Sequence, residues 1–208
     1  MGRRSGVVAC LGLGLNIALA ITLLGAQMRL YGTLGRMPHG EPIVRAEMWV
    51  GKLAGVQTAA VAGTALLFVL WFSQAGERAE SLGSGSRWKG QKWTMGAWVI
   101  PVVNVVLPLL VALHIWSSSQ PDDTARRRSR LWVLGWWTLF LSWTYADGHA
   151  RDLYRRAEET EPIRAALRAG MVSDVLCVLA AIAAIAFVAQ LTRIQSHQVR
   201  CAHPTAQA

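Results

Sequence analysis

Among the polar side chains within the long apolar runs of this sequence, three are of types that could bind a ligand or transfer a proton. Asn104 lies near the middle of the apolar segment 93–116, His114 follows ten residues later, and Asp174 lies in the apolar run 169–192. An amide buried in hydrocarbon needs hydrogen-bonding partners. A histidine can titrate near neutral pH, and an acid within a membrane segment indicates a functional site by default.

Each of these residues also has a purely structural interpretation. Asn104 either lines a polar cavity or binds a substrate, as unwound helices do in transporters, or it caps a broken helix or bonds a neighbouring one. His114 is either a titrating group or an interfacial residue, and the absence of a second histidine at i+3 or i+4 leaves a bis-histidine metal or haem site unsupported. Asp174 is either functional, or an interfacial acid or partner of an arginine in the preceding helix.

The segment around Asn104 is unusual because two prolines flank that residue. Proline removes a backbone donor and clashes with the preceding turn of a helix. Broken backbone at membrane depth persists only where protein or a water-filled cavity satisfies the freed groups. We therefore expect a functional or structural centre at a small set of positions. They are Trp98, Pro101, Asn104, Pro108, His114 and Asp174.

No established catalytic motif accompanies these positions. The sequence contains no P-loop, nucleophile elbow, HExxH or Asp-rich metal motif. In the tail, His197, Cys201 and His203 match no strong zinc pattern. We therefore predict no catalytic residue, cofactor or metal, although a membrane enzyme with dispersed residues stays open as the lowest-ranked class.

The composition is typical of a membrane protein. The chain is 53% hydrophobic and 16% charged, whereas soluble proteins average roughly 25% charged residues. The net charge of +9 comes from basic residues that flank apolar runs, as the positive-inside rule predicts, and not from a basic stripe of the nucleic-acid-binding type. Eighteen arginines against three lysines, with abundant alanine, glycine and valine, indicate a GC-rich bacterial genome.

The apolar runs predict an all-α, multi-span membrane fold. Four full transmembrane helices are expected at about 6–26, 48–75, 131–147 and 169–192, and a proline-broken third segment at 93–116. Residues 1–192 then form one helical membrane domain, and the polar tail 193–208 is predicted to be disordered and cytoplasmic. The first run is longer than the apolar region of a signal peptide, about 7–15 residues, so we expect an uncleaved anchor with a cytoplasmic N-terminus. Thr160 is positioned to cap a new helix.

Charge distribution favours a re-entrant third segment over a kinked full span. If all five runs cross the membrane, the cytoplasmic side holds 11 basic residues and the outside 9. If the third segment enters and returns on the same side, the counts become 12 and 8, which agrees better with the positive-inside rule. Both alternatives remain open at the level of the sequence.

The motif W-x-x-G-x-W-x-x-P-x-x-N-x-x-x-P at 93–108, preceded by WFSQAGERAESLG at 71–83, resembles the DUF4328 family of bacterial membrane proteins. The resemblance is densest over residues 68–118 and extends more weakly over most of the chain. Arg78 and His114 depart from the pattern, where asparagine and an acidic or polar residue are expected. The resemblance implies a fold and a membrane location, but it implies no activity.

The leading functional prediction is a non-enzymatic protein of the bacterial inner membrane that organises or regulates a partner. The first alternative is a small oligomeric transporter or channel subunit built around Pro101, Asn104 and Pro108, and the second is a lipid-modifying membrane enzyme. The expected partners are the lipid bilayer and either further copies of this chain or other inner-membrane proteins, and no nucleic acid.

Overall fold

The structure is a computed structural model that describes residues 2–36, 40–82, 103–118, 123–157 and 159–202. Within these ranges the regular secondary structure is entirely helical, which confirms the predicted all-α class. The helices are α1 (Gly2–Arg36), α2 (Glu41–Leu82), α3 (Val103–Ser118), α4 (Asp123–Arg156) and α5 (Thr160–Ala202).

Three of the described helices are long and apolar enough to cross a membrane. They contain the candidate spans Arg4–Arg36 in α1, Glu41–Arg78 in α2 and Thr160–Ser196 in α5. A bilayer core requires about 20 helical residues, and these spans have 33, 38 and 37 residues. The described helices therefore have the character of a multi-span membrane protein.

Helices α1 and α2 extend into the stretch 27–47, which lies between the predicted spans 6–26 and 48–75. Helix α1 continues to Arg36, and α2 begins at Glu41 after Gly40, whose φ of 135° only glycine adopts readily. The added helical turns are stabilised by tertiary packing, because Leu30, Leu34 and Ile43 belong to one buried cluster. Packing of this kind overrides the weak local preference of single turn-forming residues.

Helix α3 runs through Pro108 without interruption, so the break expected at this residue is absent. Pro108 is the sixth residue of the helix, and its missing N–H removes one bond, to the carbonyl of Asn104. Its side chain is fully buried by the protein, a setting in which proline within a membrane helix is tolerated. Trp98 and Pro101 lie outside the described residues, so a re-entrant turn in the first half of 93–116 stays a prediction.

Helices α4 and α5 also differ from the expected pattern at their ends. The apolar segment 131–147 and the polar stretch that follows it form one helix up to Arg156. Helix α5 begins at Thr160, as predicted, but continues to Ala202, so residues 193–202 are helical and not a disordered tail. Packing continues past residue 192, because Gln195 is 2% exposed and its Nε2 donates to the carbonyl of Ala75 at 3.0 Å.

The chain divides into two compact units that each draw on several helices. Unit 1 comprises Met1–Leu11, Thr64–Trp137 and Ala184–Ala208. Unit 2 comprises Gly12–Gly63 and Thr138–Ala183.

Aromatic rings fill the core of unit 1. The ring of Phe187 stacks on Trp136 with 5.0 Å between centroids and on Trp116 with 5.4 Å, and it meets Trp71 edge-on at 5.9 Å. Trp71 also contacts Phe68 at 5.4 Å. Aromatic pairs of this geometry contribute about 0.5–1.5 kcal/mol beyond the area that they bury, so this cluster is a main source of cohesion in unit 1.

Aliphatic side chains and one cation–π contact hold unit 2. The buried cluster joins the end of α1, the start of α2 and the start of α5 through Leu34, Ile43 and Leu167. The Arg164 guanidinium lies over the Tyr31 ring at 4.4 Å. These contacts join α1, α2 and α5, three of the four helices whose segments line the site described next.

Candidate functional site

A pocket of about 570 Å³ lies within unit 2, between segments of α1, α2, α4 and α5. Small residues on its walls create the space, because glycine and alanine leave room that larger side chains would fill. These small residues are Gly51, Ala54, Ala62, Ala150, Ala166 and Gly170.

Asp174 of α5 is the buried acid of this pocket. The residue is 5% exposed, and its Oδ2 accepts a hydrogen bond from Gln27 Nε2 of α1 at 3.1 Å. Gly170, one turn earlier on α5, admits the Gln27 amide, because a Cβ at this position would lie 2.8 Å from Gln27 Oε1. The contact between Gln27 and Asp174 therefore depends on the absence of a side chain at residue 170.

A second amide approaches from α2. Gln57 is 8% exposed and lies beside Asp174, and its Nε2 points at Cys177 Sγ at 3.8 Å, a long contact with a weak acceptor. Asp174 and Cys177 are three residues apart and so share one face of α5. The two glutamines thus bring α1 and α2 to the same face of α5.

Both glutamines carry an acceptor without a partner. The Oε1 atoms of Gln27 and Gln57 are buried and accept no hydrogen bond within the described part of the chain. Leaving a buried polar group unsatisfied costs about 1–3 kcal/mol, and such groups in native proteins are usually bonded to water or a ligand. Because both residues line the pocket, these oxygens are candidate acceptors for whatever occupies it.

A more exposed group of charged residues lines another part of the pocket. Arg151 of α4 donates from Nε to Asp147 Oδ2 at 2.8 Å and from Nη2 to Thr58 Oγ1 of α2 at 3.1 Å. Its charge is therefore largely balanced by Asp147. Burial raises the pKa of Tyr154, and the nearby Glu47 carboxylate raises it further. Tyr154 consequently stays a neutral phenol at physiological pH.

This arrangement is suited to binding a positively charged group. Its buried part offers one carboxylate and two amide oxygens, all acceptors, in a medium where electrostatic attraction is stronger than in water. Among the described residues, no group of three or more His, Cys, Asp or Glu side chains is arranged to hold a metal ion. An acceptor site built from amides and one carboxylate can still bind an organic cation.

Of the expected functional-centre residues whose side chains the structure describes, Asp174 is the one that lines this pocket. His114 is partly buried in α3, which belongs to unit 1. Asn104 is the second residue of α3, but its side chain, on which its predicted role depends, is not described by the structure. Trp98 and Pro101 lie outside the described residues. The described hydrogen bond to Asp174 comes from Gln27, and Arg151 of the preceding helix pairs with Asp147, so the interfacial and functional interpretations of Asp174 both stay predictions.

Gln27 and Gln57 were not predicted from the sequence as residues of the site. Gln57 carried a usable signal, because it is an amide within the apolar run 48–75, as Asn104 is within 93–116. Gln27 was hidden by the expectation that α1 ends at residue 26. Only the continuation of α1 to Arg36 places Gln27 inside a helix, facing Asp174.

Comparison with known proteins identifies one family. The family described as "Domain of unknown function (DUF4328)" matches residues 37–193, which include α2, α3, α4 and most of α5. The match contains Gln57, Asp174 and the whole of the 93–108 motif, whereas Gln27 lies before it. No curated protein and no solved structure matches the chain.

Proposed function

The chain belongs to the DUF4328 family, as its motif predicted, and we propose that it is a non-enzymatic, multi-pass protein of the bacterial inner membrane that binds a small ligand. In this proposal the ligand occupies the pocket of unit 2, and its binding regulates or organises a partner protein in the membrane. The family name supplies no activity, so the proposal rests on the geometry around Asp174.

One observation carries the proposal. The buried Asp174 carboxylate lies beside two buried amide oxygens that have no partner, and all three residues line a pocket of about 570 Å³. Ligand pockets typically measure about 300–1,000 Å³ and combine apolar walls with a few polar groups. An ionisable side chain inside a membrane span has a high energetic cost, so its presence indicates a functional site. Asp174 lies inside the candidate span Thr160–Ser196.

Binding can be tested without knowing the ligand. Purified full-length protein in detergent would be heated with separate sets of small amines, carboxylates, phosphates and alcohols, and the melting temperature recorded. We expect at least one set to raise the melting temperature of the natural sequence, because a ligand that binds only the folded state stabilises it. The shift should shrink in Gly170→Ala, which crowds Gln27.

The matched control is Gly55→Ala, a helical position of unit 2 with open space around it. This variant should keep the full shift. If no set stabilises the natural sequence, or if every shift is the same in Gly170→Ala and Gly55→Ala, the pocket is not a ligand site and the proposal is wrong.

A small oligomeric transporter or channel subunit is the second candidate. The acid within a candidate span favours it, since such residues mark substrate and ion pathways. Pro108 does not support the transporter or channel hypothesis, because α3 continues through that residue. Liposomes containing the protein should then accumulate whichever probe stabilises it, and Asp174→Asn should abolish the accumulation. The lipid-modifying enzyme gains no supporting geometry from the described residues.

For the membrane topology, we propose four full spans, in α1, α2, α4 and α5, and a re-entrant segment at 93–116. The support is the distribution of basic residues, which improves to 12 cytoplasmic against 8 outside in this arrangement. Single cysteines at Ser86, Ser118 and Ser196, in a background without the three natural cysteines, would be labelled from either side. Labelling of all three from the cytoplasm alone supports the re-entrant segment. Labelling of residue 118 from outside makes the segment a full span.

A further inference from the structure

We propose that the ligand bound in the pocket of unit 2 presents a primary ammonium group, carried on an apolar body. The inference rests on the proposed function and names the class of ligand that the same site takes. Three features carry it: the number of free acceptors, their charge, and the apolar walls beside them.

The acceptors match the donors of a primary ammonium ion. Such a group has three N–H bonds and no acceptor, and the buried part of the pocket offers Gln27 Oε1, Gln57 Oε1 and the Asp174 carboxylate. A quaternary ammonium ion carries the same charge but has no N–H to donate, so it would leave both amide oxygens unsatisfied. A carboxylate or phosphate alone would meet acceptors and a negative charge.

The charge of the surroundings allows a cation to approach. Within the described part of the chain no arginine or lysine is bonded to Asp174, and its hydrogen bond comes from a neutral amide. The neighbouring Arg151 is held by Asp147 and Thr58, at 2.8 and 3.1 Å. An ammonium ion at Asp174 would therefore meet a carboxyl group with no cation bonded to it among the described residues, and Arg151 of the same pocket is already paired.

The remaining walls accommodate an apolar body. Aliphatic and aromatic side chains from α1, α2 and α4 line the same cavity as the acceptors, and they are Leu23, Val50, Val61 and Trp143. The lining extends over thirteen residues of α2, from Val50 to Ala62, which corresponds to about 18 Å along the helix. A molecule with an alkyl chain next to its amine fits such an elongated, largely apolar space.

Two sources could supply this chemistry: a free primary amine, or the ethanolamine headgroup of a membrane lipid. Arg155 lines the same pocket and lies eight residues after Asp147 on α4, about 12 Å along the helix. Arg155 thus offers a position for an anionic group in the same pocket. The experiment therefore needs separate arms for the free amine and for the lipid.

The first arm compares three soluble probes that differ in one group. Full-length protein in detergent would be titrated with n-hexylamine, n-hexyltrimethylammonium and hexanoate, and its melting temperature measured. We expect stabilisation by hexylamine alone, with an affinity at least tenfold above that of the trimethyl analogue. Asp174→Asn and Gly170→Ala should each lose at least tenfold in hexylamine affinity, whereas Gly55→Ala should lose none.

The second arm uses nanodiscs of phosphatidylethanolamine or of phosphatidylcholine with identical acyl chains, because these lipids differ only in the methyl groups on nitrogen. A higher melting temperature in phosphatidylethanolamine, absent from Gly170→Ala, assigns the amine to a lipid. Stabilisation by hexylamine with no difference between the two nanodiscs assigns it to a free ligand. Either result supports a primary ammonium ligand.

Other results overturn the inference in distinguishable ways. Equal affinity for hexylamine and its trimethyl analogue, or preferential binding of hexanoate, would show that the pocket binds ligands of another class, and the proposed function would survive. Stabilisation by sodium chloride alone, lost in Asp174→Asn, would make the site one for a simple cation. Failure of every probe, including the broader sets described above, would remove both proposals. If Asp174→Asn does not fold, Gly170→Ala provides the same comparison.

Discussion

The two compact units pack their apolar helices with side chains of opposite size. In unit 1, large rings interlock: Phe187 contacts three tryptophans with centroids 5.0–5.9 Å apart. In unit 2, a band of glycine and alanine faces two glutamines and an aspartate, and a pocket of about 570 Å³ remains between the helices. Rings fill the space between helices, whereas small residues leave it free for another molecule.

The buried polar groups of the two units differ in the same way. The indole nitrogens of Trp71 and Trp116 lack a hydrogen-bond partner within the described residues, but both rings are packed against Phe187. The unpartnered amide oxygens of Gln27 and Gln57 instead line the pocket. Unit 1 thus has the features of a structural core and unit 2 those of a binding site. Substitutions in each should separate stability from binding.

The largest expected effect is loss of the central ring in unit 1. Phe187→Ala should lower the free energy of unfolding by about 3–5 kcal/mol, the usual cost of removing a buried aromatic side chain, because Phe187 is 4% exposed and contacts three other rings. Denaturation in detergent would measure it. The control is Leu66→Ala, a residue of unit 1 that is 68% exposed. Comparable losses in the two variants would contradict an aromatic core.

A smaller loss is expected at Gly170 of unit 2. In Gly170→Ala the new methyl group would lie 2.8 Å from Gln27 Oε1, so the bond from Gln27 to Asp174 should break. An unsatisfied buried group costs about 1–3 kcal/mol and alanine recovers about 0.5–1 kcal/mol of helix stability. The net loss should be about 1–2 kcal/mol. Gly55→Ala, with open space around it, should instead stabilise. A stabilised Gly170→Ala would show that Gln27 moves freely.

Gly6 tests whether the core of unit 1 is as rigid as its ring contacts indicate. A Cβ at this residue would lie 3.2 Å from both Trp71 Nε1 and Thr192 Oγ1, and Trp71 is 1% exposed and enclosed by other rings. We expect Gly6→Ala to destabilise by about 1 kcal/mol, as mild overpacking does. Gly14→Ala on the same helix meets nothing within 4 Å and should be neutral or stabilising. If the two variants behave alike, the Trp71 ring has room to shift.

The smallest difference is expected between two ion pairs of α4. Arg151 and Arg156 each pair with an aspartate four residues earlier, at 2.8 Å, but Arg151 also bonds Thr58 of α2. Exposed pairs contribute about 0–1 kcal/mol, and one hydrogen bond adds about 1 kcal/mol. Arg151→Ala should therefore cost about 1 kcal/mol more than Arg156→Ala in chemical denaturation. Equal costs would mean that the bond to Thr58 does not stabilise unit 2.

Much of the fold could be predicted from local pattern, but the helix ends could not. The apolar runs predicted the helical class and the start of α5 at Thr160. The first predicted span ended at residue 26 and the last at residue 192, but α1 continues to Arg36 and α5 to Ala202. The preference of a single glycine or polar residue against helix amounts to about 1 kcal/mol or less. Burial of Leu34, Leu191 and Gln195 against other helices outweighs that preference, and such burial is not visible within a single segment.

The candidate site shows the same division. Asp174 was identified because an acid in an apolar run is rare and costly. Its partners were missed because Gln27 is 147 residues away and Gln57 lies on a third helix. Pro108 was expected to break its helix, but α3 continues through this residue, which is buried by the surrounding protein.

The sequence alone therefore determined the helical, membrane-spanning class, the DUF4328 family and the presence of one costly buried acid. These depend on composition, on a local motif and on the hydropathy of single segments. Only the tertiary structure decided which amides meet Asp174, which glycine makes room for them, and that space remains around them. Those features depend on contacts between helices far apart in the chain. Whether an amide oxygen has a hydrogen-bond partner, or a glycine leaves needed space, is set by residues of other helices.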